Sequence, residues 1–432
     1  MNQTTLLIGL LCLASAAGQA ATNPDPVAKS DMGSMDTPAD AGSDPEMRGA
    51  LGAASMRQES SGTSWQPAST PQQGIVTMTD GWTTMVQGFA NAVYTHQEGL
   101  RGADALFSTN MLMVMASRPL GIGTLGLRGM FCLEPLMGPS GYPLLLQSGE
   151  SADGVHTLVD RQHPHDLFME LALSYSILLS DGDAIFAYAG LPGEPALGPP
   201  AFMERFSGMD NPVAPVSHHW IDSTHEAQGA VTLGAVVQAF KAEASMFRGR
   251  EPDYNHWDIE EPRLDSWSGR LSCNPGKDVA LQISYGHLTG HDTLAPTQDE
   301  NKFIASAMLN RPMDNGNWQT TLGWGRNMHE GEQASNAYFI ESAANLRKTH
   351  TLFMRAESAE KDDLFDAGSP LSGQIYVVEE VTLGYIYDLP AFAHLQCGLG
   401  TSGTLDFLPA ELISTYGSRP LSYLFFLRLK VV

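Results

Sequence analysis

The chain has 432 residues and carries 48 acidic against 24 basic side chains, which gives a net charge of −24. So acidic a protein is not expected to bind nucleic acid, because phosphate recognition requires a basic surface, whereas cations would be attracted to it. The mean hydropathy of −0.14 excludes a membrane protein built from apolar helices. It does not exclude a β-barrel, in which only alternate strand residues face lipid.

Residues 1–20 are predicted to be a signal peptide. An apolar core at 6–17 is followed by Gly18-Gln19-Ala20, whose small residues suit cleavage. The alternative is a buried N-terminal helix. Three cysteines would remain after cleavage, and this odd number, without metal-ligand spacing, argues against a disulfide framework. We expect them to be small apolar strand residues, at Cys132, Cys273 and Cys397.

Residues 21–80 are predicted to be a mostly disordered, acidic periplasmic segment. They are rich in Pro, Ser, Gly, Ala, Asp and Met, so that they cannot bury enough apolar surface to offset the entropy of ordering. Met32 and Met35 lie beside Asp31 and Asp36, and thioethers are soft ligands suited to Cu(I) or Ag(I). This pattern predicts a copper-binding pair, or else reflects chance in a chain with 20 methionines.

From residue 81 to 432, segments of alternating apolar and polar residues repeat to the end. Most of them reach the roughly 9–11 residues that a transmembrane strand requires. We therefore predict an all-β fold, a transmembrane antiparallel β-barrel of about sixteen strands (about 14 to 18) in the outer membrane of a Gram-negative type of cell. The candidate strands lie near 82–95, 105–117, 121–133, 166–179, 183–190, 225–235, 238–249, 263–274, 277–290, 300–311, 315–328, 335–346, 349–360, 374–388, 392–405 and 417–431.

The connections between these segments alternate between short and long. Turn sequences such as Asp314-Asn315-Gly316 favour tight hairpins, because Asn and Gly accept positive φ. Short turns on one side and long loops on the other are typical of outer-membrane barrels, and an even strand number leaves both termini in the periplasm. A soluble β-sandwich would show the same alternation but fewer strands. The longer connections lie near 134–165, 191–224, 249–262, 290–300 and 360–373.

Charged residues recur on one face of several strands and are predicted to line the lumen. In the segment 349–360, for example, Leu352 and Met354 oppose Thr351 and Arg355. Because both signs of charge occur, they indicate ion-paired walls as much as a selective conduit. The predicted lumen-lining residues are Arg128, Glu170, Arg270, Glu341, Arg355, Glu357 and Glu380.

Two histidine-rich stretches lie in long connections on the same predicted rim. In the first, Pro164 keeps the backbone extended, so that its two neighbouring imidazoles point one way. Imidazole and carboxylate groups together suit borderline ions such as Cu(II) or Zn(II). The alternative is a hydrogen-bond network that folds these loops or constricts the pore, with neutral histidines as donors. The predicted metal ligands are His163, His165, Asp166, His218, His219 and His225.

Residues 191–217, which lie between these stretches, form a stiff loop with six prolines and an apolar side containing Phe202, Met203, Phe206 and Met209. We expect it to pack as a constriction or a cap, although its methionines could alternatively serve a soft metal.

No serine stands in a nucleophile-elbow sequence, and no spacing specifies a catalytic triad. An enzyme is therefore not expected.

The last predicted strand has the sharpest alternation in the chain. One face is fully apolar, and the other turns polar toward its end at Arg428 and Lys430. This pattern is typical of the closing strand of an outer-membrane barrel. The apolar face consists of Leu421, Tyr423, Phe425, Leu427 and Leu429.

Residues 61–67, 141–146, 160–166, 193–200 and 249–253 carry a family resemblance. They resemble an uncharacterised bacterial exported family, known mainly as hypothetical proteins, over residues 61–432. This resemblance implies an exported β-barrel but no activity. The acidic, Met-rich N-terminus with Met32 and Met35 is similar to that of outer-membrane copper-resistance proteins of the CopB type, although residues 21–80 contain no His. That resemblance implies copper as the ligand.

The sequence thus leads to the hypothesis of an outer-membrane barrel that binds or exports a soft or borderline metal, copper or silver. Met32 and Met35 would capture the ion in the periplasm, and the rim histidines would bind it at the outer mouth. The alternative is a general or substrate-selective porin for small solutes without metal. A third possibility is an enzyme or a structural protein with a plugged lumen. The expected partners are outer-membrane lipid and metal ions, and the sequence makes no prediction of oligomeric state.

Overall fold

The computed structural model describes residues 47–365 and 368–432. Short helical turns in this part lie at Glu134–Met137, His218–Ile221, Ser223–Glu226, Ala410–Leu412 and Ile413–Tyr416. The strands are β1 Ile75–Thr79, β2 Trp82–Gln97, β3 Asp104–Leu120, β4 Gly123–Phe131, β5 Tyr142–Ser151, β6 Thr157–Gln162, β7 Phe168–Ser180, β8 Asp183–Gly190, β9 Ala230–Val237, β10 Phe240–Phe247, β11 Ser266–Gly276, β12 Val279–Leu288, β13 Glu300–Met313, β14 Gly316–His329, β15 Ser335–Leu346, β16 His350–Lys361, β17 Tyr376–Asp388, β18 Leu395–Phe407 and β19 Leu421–Val431.

Sixteen of these strands, all except β1, β5 and β6, form one closed antiparallel barrel. Each pairs with its neighbours in chain order, and the ring closes where β19 pairs with β2, from Ser422 opposite Gln97 to Lys430 opposite Phe89. The short strand β1 pairs with the part of β2 that β19 leaves free. The predicted barrel is confirmed, and each of the sixteen predicted segments overlaps one barrel strand.

The outer surface of the barrel is apolar because the strand period of two sends alternate residues outward. In β19, Phe425 and Leu427 are exposed on the outside, whereas Phe426 and Arg428 are buried on the inside. The same alternation appears in β17, where Leu383 is exposed and Thr382 is buried. Among the described residues, no helix is long and apolar enough to cross a membrane.

Short and long connections fall on opposite ends of the barrel. One end carries tight turns, such as the two residues between β3 and β4 and between β13 and β14. Gly121 and Gly182 adopt positive φ in such turns, which a side chain would disfavour. The other end carries long connections, among them 132–167, 191–229 and 248–265. By the rule that outer-membrane barrels have short periplasmic turns, this second end faces outward.

The interior of the barrel is filled by the chain itself. We call residues 47–74 the plug segment and residues 191–229, between β8 and β9, the plug loop. All residues from 192 to 229 are buried except Met209, His219 and Ser223. The β5–β6 hairpin lies at the outer end, where Gln97 of β2 donates to the Pro143 carbonyl over 2.9 Å and Lys361 of β16 donates to Ser148 over 2.9 Å.

The predicted disorder of residues 21–80 is wrong for the part that the structure describes. The plug segment is ordered because it satisfies polar groups of the barrel wall: Arg270 donates to the Thr63 hydroxyl over 2.9 Å, and Asn310 donates to the Ser69 carbonyl over 2.8 Å. Residues 75–79 form β1. Residues 1–46, with the predicted signal peptide and with Met32 and Met35, lie outside the described residues.

Candidate functional site

The two histidine-rich stretches meet inside the barrel. We call His163, His165, His218, His219 and His225 the histidine cluster. The ring of His165 lies 5.3 Å from that of His225, which lies 5.3 Å from that of His218. The ring of His163 lies 5.9 Å from that of His219. Five imidazoles from two connections that are far apart in sequence therefore lie close together, and four of them are buried.

Local structure explains how the chain presents these rings. His163 and His165 flank Pro164 just before β7 begins, so that the backbone is extended and both side chains leave it on one side. In the plug loop, the helical turn His218–Ile221 and the turn Ser223–Glu226 follow each other directly. This tight double turn brings His218 and His225 together.

A hydrogen bond fixes Nδ1 in most rings of the cluster. The Nδ1 atom of His165 lies 2.8 Å from a Glu134 oxygen, and that of His218 lies 2.7 Å from an Asp222 oxygen. Nδ1 of His225 donates to the Asp222 carbonyl over 2.6 Å. Since a carbonyl oxygen only accepts, the neutral His225 ring carries its proton on Nδ1 and a lone pair on Nε2.

The opposite nitrogens of the cluster have no hydrogen-bond partner among the described residues. This holds for Nε2 of His163, His165, His219 and His225, all of which are buried. A buried polar atom without a partner is costly and calls for an explanation. Rings anchored through Nδ1, with Nε2 free, have the arrangement in which histidine ligates metals.

Acidic groups surround the cluster, and sequence reasoning missed most of them. Ligand atoms of His165, His225 and Glu226 lie within 4.8 Å of one another, as do those of Cys132, Glu134 and His165. Glu134 lies 31 residues before His165, and no local spacing connects the two. Cys132 was predicted to be an apolar strand residue, but it follows the end of β4 and is buried beside this group.

Asp166 does not face the cluster, although its neighbour His165 does. Its carboxylate lies 2.8 Å from Nδ1 of His256 and accepts a hydrogen bond from Gln228 over 2.9 Å. His256, from the connection between β10 and β11, is a further buried histidine that the sequence did not single out. The hydrogen bonds of Asp166 therefore link the connection 248–265, which contains His256, to Gln228 at the end of the plug loop.

Burial and charge set the protonation of the cluster. Burial lowers the pKa of His218 to about 4, and it lowers the pKa of His225 well below its ordinary value. For His163 burial acts in the same direction, but the nearby Glu150 carboxylate outweighs it and raises the pKa to about 9. Burial also raises the pKa of Glu226 well above its usual range. Neutral imidazoles at His218 and His225 are the form that binds metals.

The residues predicted to line the lumen face inward and are covered by plug residues. Glu341 accepts a hydrogen bond of 2.7 Å from Arg205 of the plug loop, and Arg355 donates to the Ala214 carbonyl over 2.8 Å. Arg128 donates to the Ser60 carbonyl of the plug segment over 2.9 Å. The remaining members, Glu170, Arg270, Glu357 and Glu380, are also buried. These groups contact protein where the sequence had suggested a watery lumen.

One ion-pair network connects the plug loop, the wall and the cluster. Arg205 pairs with Asp222 over 2.5 Å and with Glu341 of β15 over 2.7 Å, and all three side chains are buried. The same Asp222 holds His218. The position of the histidine cluster therefore depends on how the plug loop is attached to the wall.

Solved outer-membrane proteins share this fold. The structure of OmpF from Salmonella typhi, in complex with daunomycin, aligns with a TM-score of 0.52 at 9% identity and covers 82% of this chain and 100% of its own. OprB from Pseudomonas putida gives a TM-score of 0.51 at 9% identity, covering 81% and 94%. An anion-selective porin from Comamonas acidovorans gives 0.49 at 9% identity, covering 81% and 99%.

No model of a known protein family matches the chain, and no curated protein matches its sequence. At such low identities the structural likeness establishes the fold alone. The closed sixteen-strand barrel has the fold of β-barrel proteins of the Gram-negative outer membrane, and the protein is located in that membrane.

Proposed function

We propose that the protein is a channel for small solutes and that its own plug loop and plug segment close it in the state described here. The observation that carries this proposal is the polar character of the contact between plug and wall. Barrels of 16 strands are wide enough to hold an aqueous channel, as in porins. This barrel has such a width, an inner wall of both charge signs, and a filling attached to that wall by many hydrogen bonds and ion pairs.

The polar contacts between the plug loop and the barrel wall favour reversible opening of the channel. When the plug loop leaves the wall, groups such as Glu341 and Arg355 can be hydrated, and water replaces the lost hydrogen bonds at a modest net cost. An apolar core of the same area would expose hydrocarbon to water and resist opening. Methionine also contributes to the contact: Met203 of the plug loop packs with Met111 and Met130 of the wall, and such side chains repack easily.

A reversible disulfide tests this proposal. The hydroxyl oxygens of Ser207 in the plug loop and Thr321 in β14 lie 2.6 Å apart, so that cysteines at both positions can be joined. In planar bilayers the oxidised Ser207→Cys/Thr321→Cys protein should lose its openings, and a reductant should restore them. The Ser207→Cys protein alone is the control and should conduct like the wild type. Equal conductance of the oxidised and reduced double variant would refute gating by this loop.

Export of copper or silver is the second candidate, and interior methionines support it. A cavity inside the barrel is lined by Met56, Met85, Met113, Met115 and Met209, and thioethers suit Cu(I) and Ag(I). Packing by adaptable side chains explains the same cluster. Replacement of Met85, Met113 and Met209 by Leu should weaken Cu(I) binding in competition with a chromophoric chelator. The same change at the exposed Met78, Met246 and Met313 should not.

A further inference from the structure

The histidine cluster joins parts of the chain that are otherwise separate. His163, His165 and Glu134 belong to the connection 132–167, whereas His225 and Glu226 belong to the plug loop. Glu251, from the connection between β10 and β11, lies 3.3 Å from Nδ1 of His219. Any ligand shared by these groups would cross-link the plug loop to two other connections near the outer end of the barrel.

We infer that the histidine cluster binds one borderline divalent transition-metal ion, which fastens the plug loop to the connection 132–167. The innermost ligands are His165, His225 and Glu226, each of which places one ligand atom within 4.8 Å of one atom of the other two. Nε2 is the nitrogen that each imidazole has free to bind a metal. His218, whose ring is 5.3 Å from that of His225, is the nearest further imidazole. Two or three imidazoles with one carboxylate form a donor set suited to Zn(II), Cu(II) or Ni(II).

The hydrogen bonds around the cluster are those that such a site needs. Metal-bound histidines usually donate their second nitrogen to a carboxylate or a carbonyl, which fixes the tautomer and the ring orientation. Here the Glu134 carboxylate holds His165, and the Asp222 carbonyl holds His225. Both rings are therefore oriented before an ion arrives, and Nε2 of each has no other partner in the described part of the chain.

Charge also favours a cation at this position. Glu134, Glu226 and Glu251 are buried around the five rings, and one oxygen of Glu226 has no hydrogen-bond partner among the described residues. Burying carboxylates without compensation is costly. Lys302, which donates to the His219 carbonyl over 2.7 Å, supplies positive charge beside Glu251. A divalent ion held by His165 and His225 supplies it beside Glu226.

The geometry requires only a small closure. Ligand nitrogens in a tetrahedral zinc site stand about 3.4 Å apart, given Zn–N distances of about 2.0–2.1 Å. Because the ligand atoms lie within 4.8 Å of one another, contraction amounts to at most roughly an ångström for each side chain, which rotation about the side-chain bonds of Glu226 and His165 can supply. The backbone of the two connections can stay in place.

Metal binding is tested on the full-length protein in detergent. Because the site is buried, the protein should be refolded with ZnSO₄ or CuSO₄, freed of loose ion and analysed for bound metal. The test variant is His165→Asn/His225→Asn, since Asn keeps a donor near the Nδ1 position but removes Nε2. The matched control is His287→Asn/His350→Asn, which changes two strand histidines outside the cluster. Folding of each variant is checked by heat-dependent gel mobility. If the double variant does not fold, the single variant His225→Asn is used in its place.

We expect the wild type and the control to retain one ion per barrel. The cluster variant should bind more than about a hundredfold more weakly, because even indirect partners of metal ligands are worth about 10–100-fold. For bound Cu(II), the electron paramagnetic resonance spectrum should show coupling to nitrogen in the wild type and in the control but not in the cluster variant. Absence of binding by the wild type, or equal binding by the wild type and the cluster variant, would overturn the proposal.

The fastening role has its own measurement, which does not depend on conductance. Metal should slow hydrogen exchange of the plug loop in the wild type and have no effect in the cluster variant, because a ligand stabilises the state that binds it. If bound metal does not change the hydrogen-exchange rate of the plug loop, the proposed cross-link is refuted, although the binding site itself is not. Only this role rests on the proposed closure of the channel, and the disulfide experiment tests closure separately.

Discussion

At the scale of single residues, the interior of this barrel depends on buried charges that compensate one another. Arg205, Asp222 and Glu341 form a triad with almost no exposure, and such groups are tolerated in a low-dielectric interior only when paired. The histidine cluster is attached to this triad through Asp222. Asp222 therefore has two roles: it pairs with Arg205 in the buried triad, and it orients His218 of the candidate site.

Glu204 is a buried carboxyl for which we predict a pH effect. Burial raises its pKa to about 8, although Arg128 opposes the rise, and Glu170 adds to it. A carboxyl whose pKa is higher in the folded state contributes stability below its unfolded pKa and loses it as the pH rises to about 8. The folded protein should thus be less stable at about pH 9 than at about pH 5.

Replacement of this carboxyl checks the effect. At about pH 9, Glu204→Gln should increase the free energy of unfolding by a few kcal/mol, since each pKa unit corresponds to about 1.4 kcal/mol. Near pH 5 it should change little. Thermal unfolding in detergent across this range provides the measurement, and the exposed Glu330→Gln serves as the control. A stability difference that does not vary with pH would show that Glu204 is already ionised in the folded protein.

The histidines of the candidate site could be predicted from the sequence, whereas their acidic partners could not. His163 and His165 are two residues apart on an extended backbone, and His218 and His219 are adjacent, so that each stretch is conspicuous. Glu134 and Glu226 carry no such local signal, because their contacts with His165 and Asp166 depend on how two long connections fold. Contacts of this kind are set by tertiary structure.

At the scale of elements, strands and turns follow from local rules that a sequence displays. Alternation of period two and turns such as Asp314-Asn315-Gly316 located all sixteen barrel strands. The plug segment has no comparable pattern, and its composition predicts disorder. It is ordered because barrel side chains such as Arg270 and Asn310 satisfy its backbone and hydroxyl groups. The order of the plug segment therefore depends on contacts with the barrel wall, which a local sequence pattern does not show.

Trp65 should anchor the plug segment. Its ring is buried against Leu51, Phe186 and Val236, and the ammonium of Lys241 lies 4.7 Å from the ring centre. Trp65→Ala should cost about 3–5 kcal/mol of docking free energy. Protease cleavage within residues 47–74 should then become faster while the barrel keeps its heat-dependent gel mobility. The half-exposed Trp257→Ala is the control, and unchanged cleavage of the Trp65 variant would contradict the assigned role.

At the scale of the whole molecule, the protein combines a membrane barrel with an interior made largely of its own chain. The fold resembles that of solved outer-membrane structures, and for OmpF this resemblance extends to 82% of the chain. The filling consists of a plug loop of which nearly all residues are buried, a plug segment, and the β5–β6 hairpin at the outer end. The proposed channel function therefore depends on whether this filling moves.

The most direct test compares the wild type with a protein whose residues 192–228 are replaced by a short Gly-Ser turn. Single-channel conductance is recorded for both in planar bilayers, after gel mobility has shown that both barrels are folded. If the plug loop closes the lumen, the shortened protein should show a steady open level well above the mean current of the wild type, because a barrel of this width can hold an aqueous channel once the loop is gone. Equal conductance of the two proteins would contradict the account.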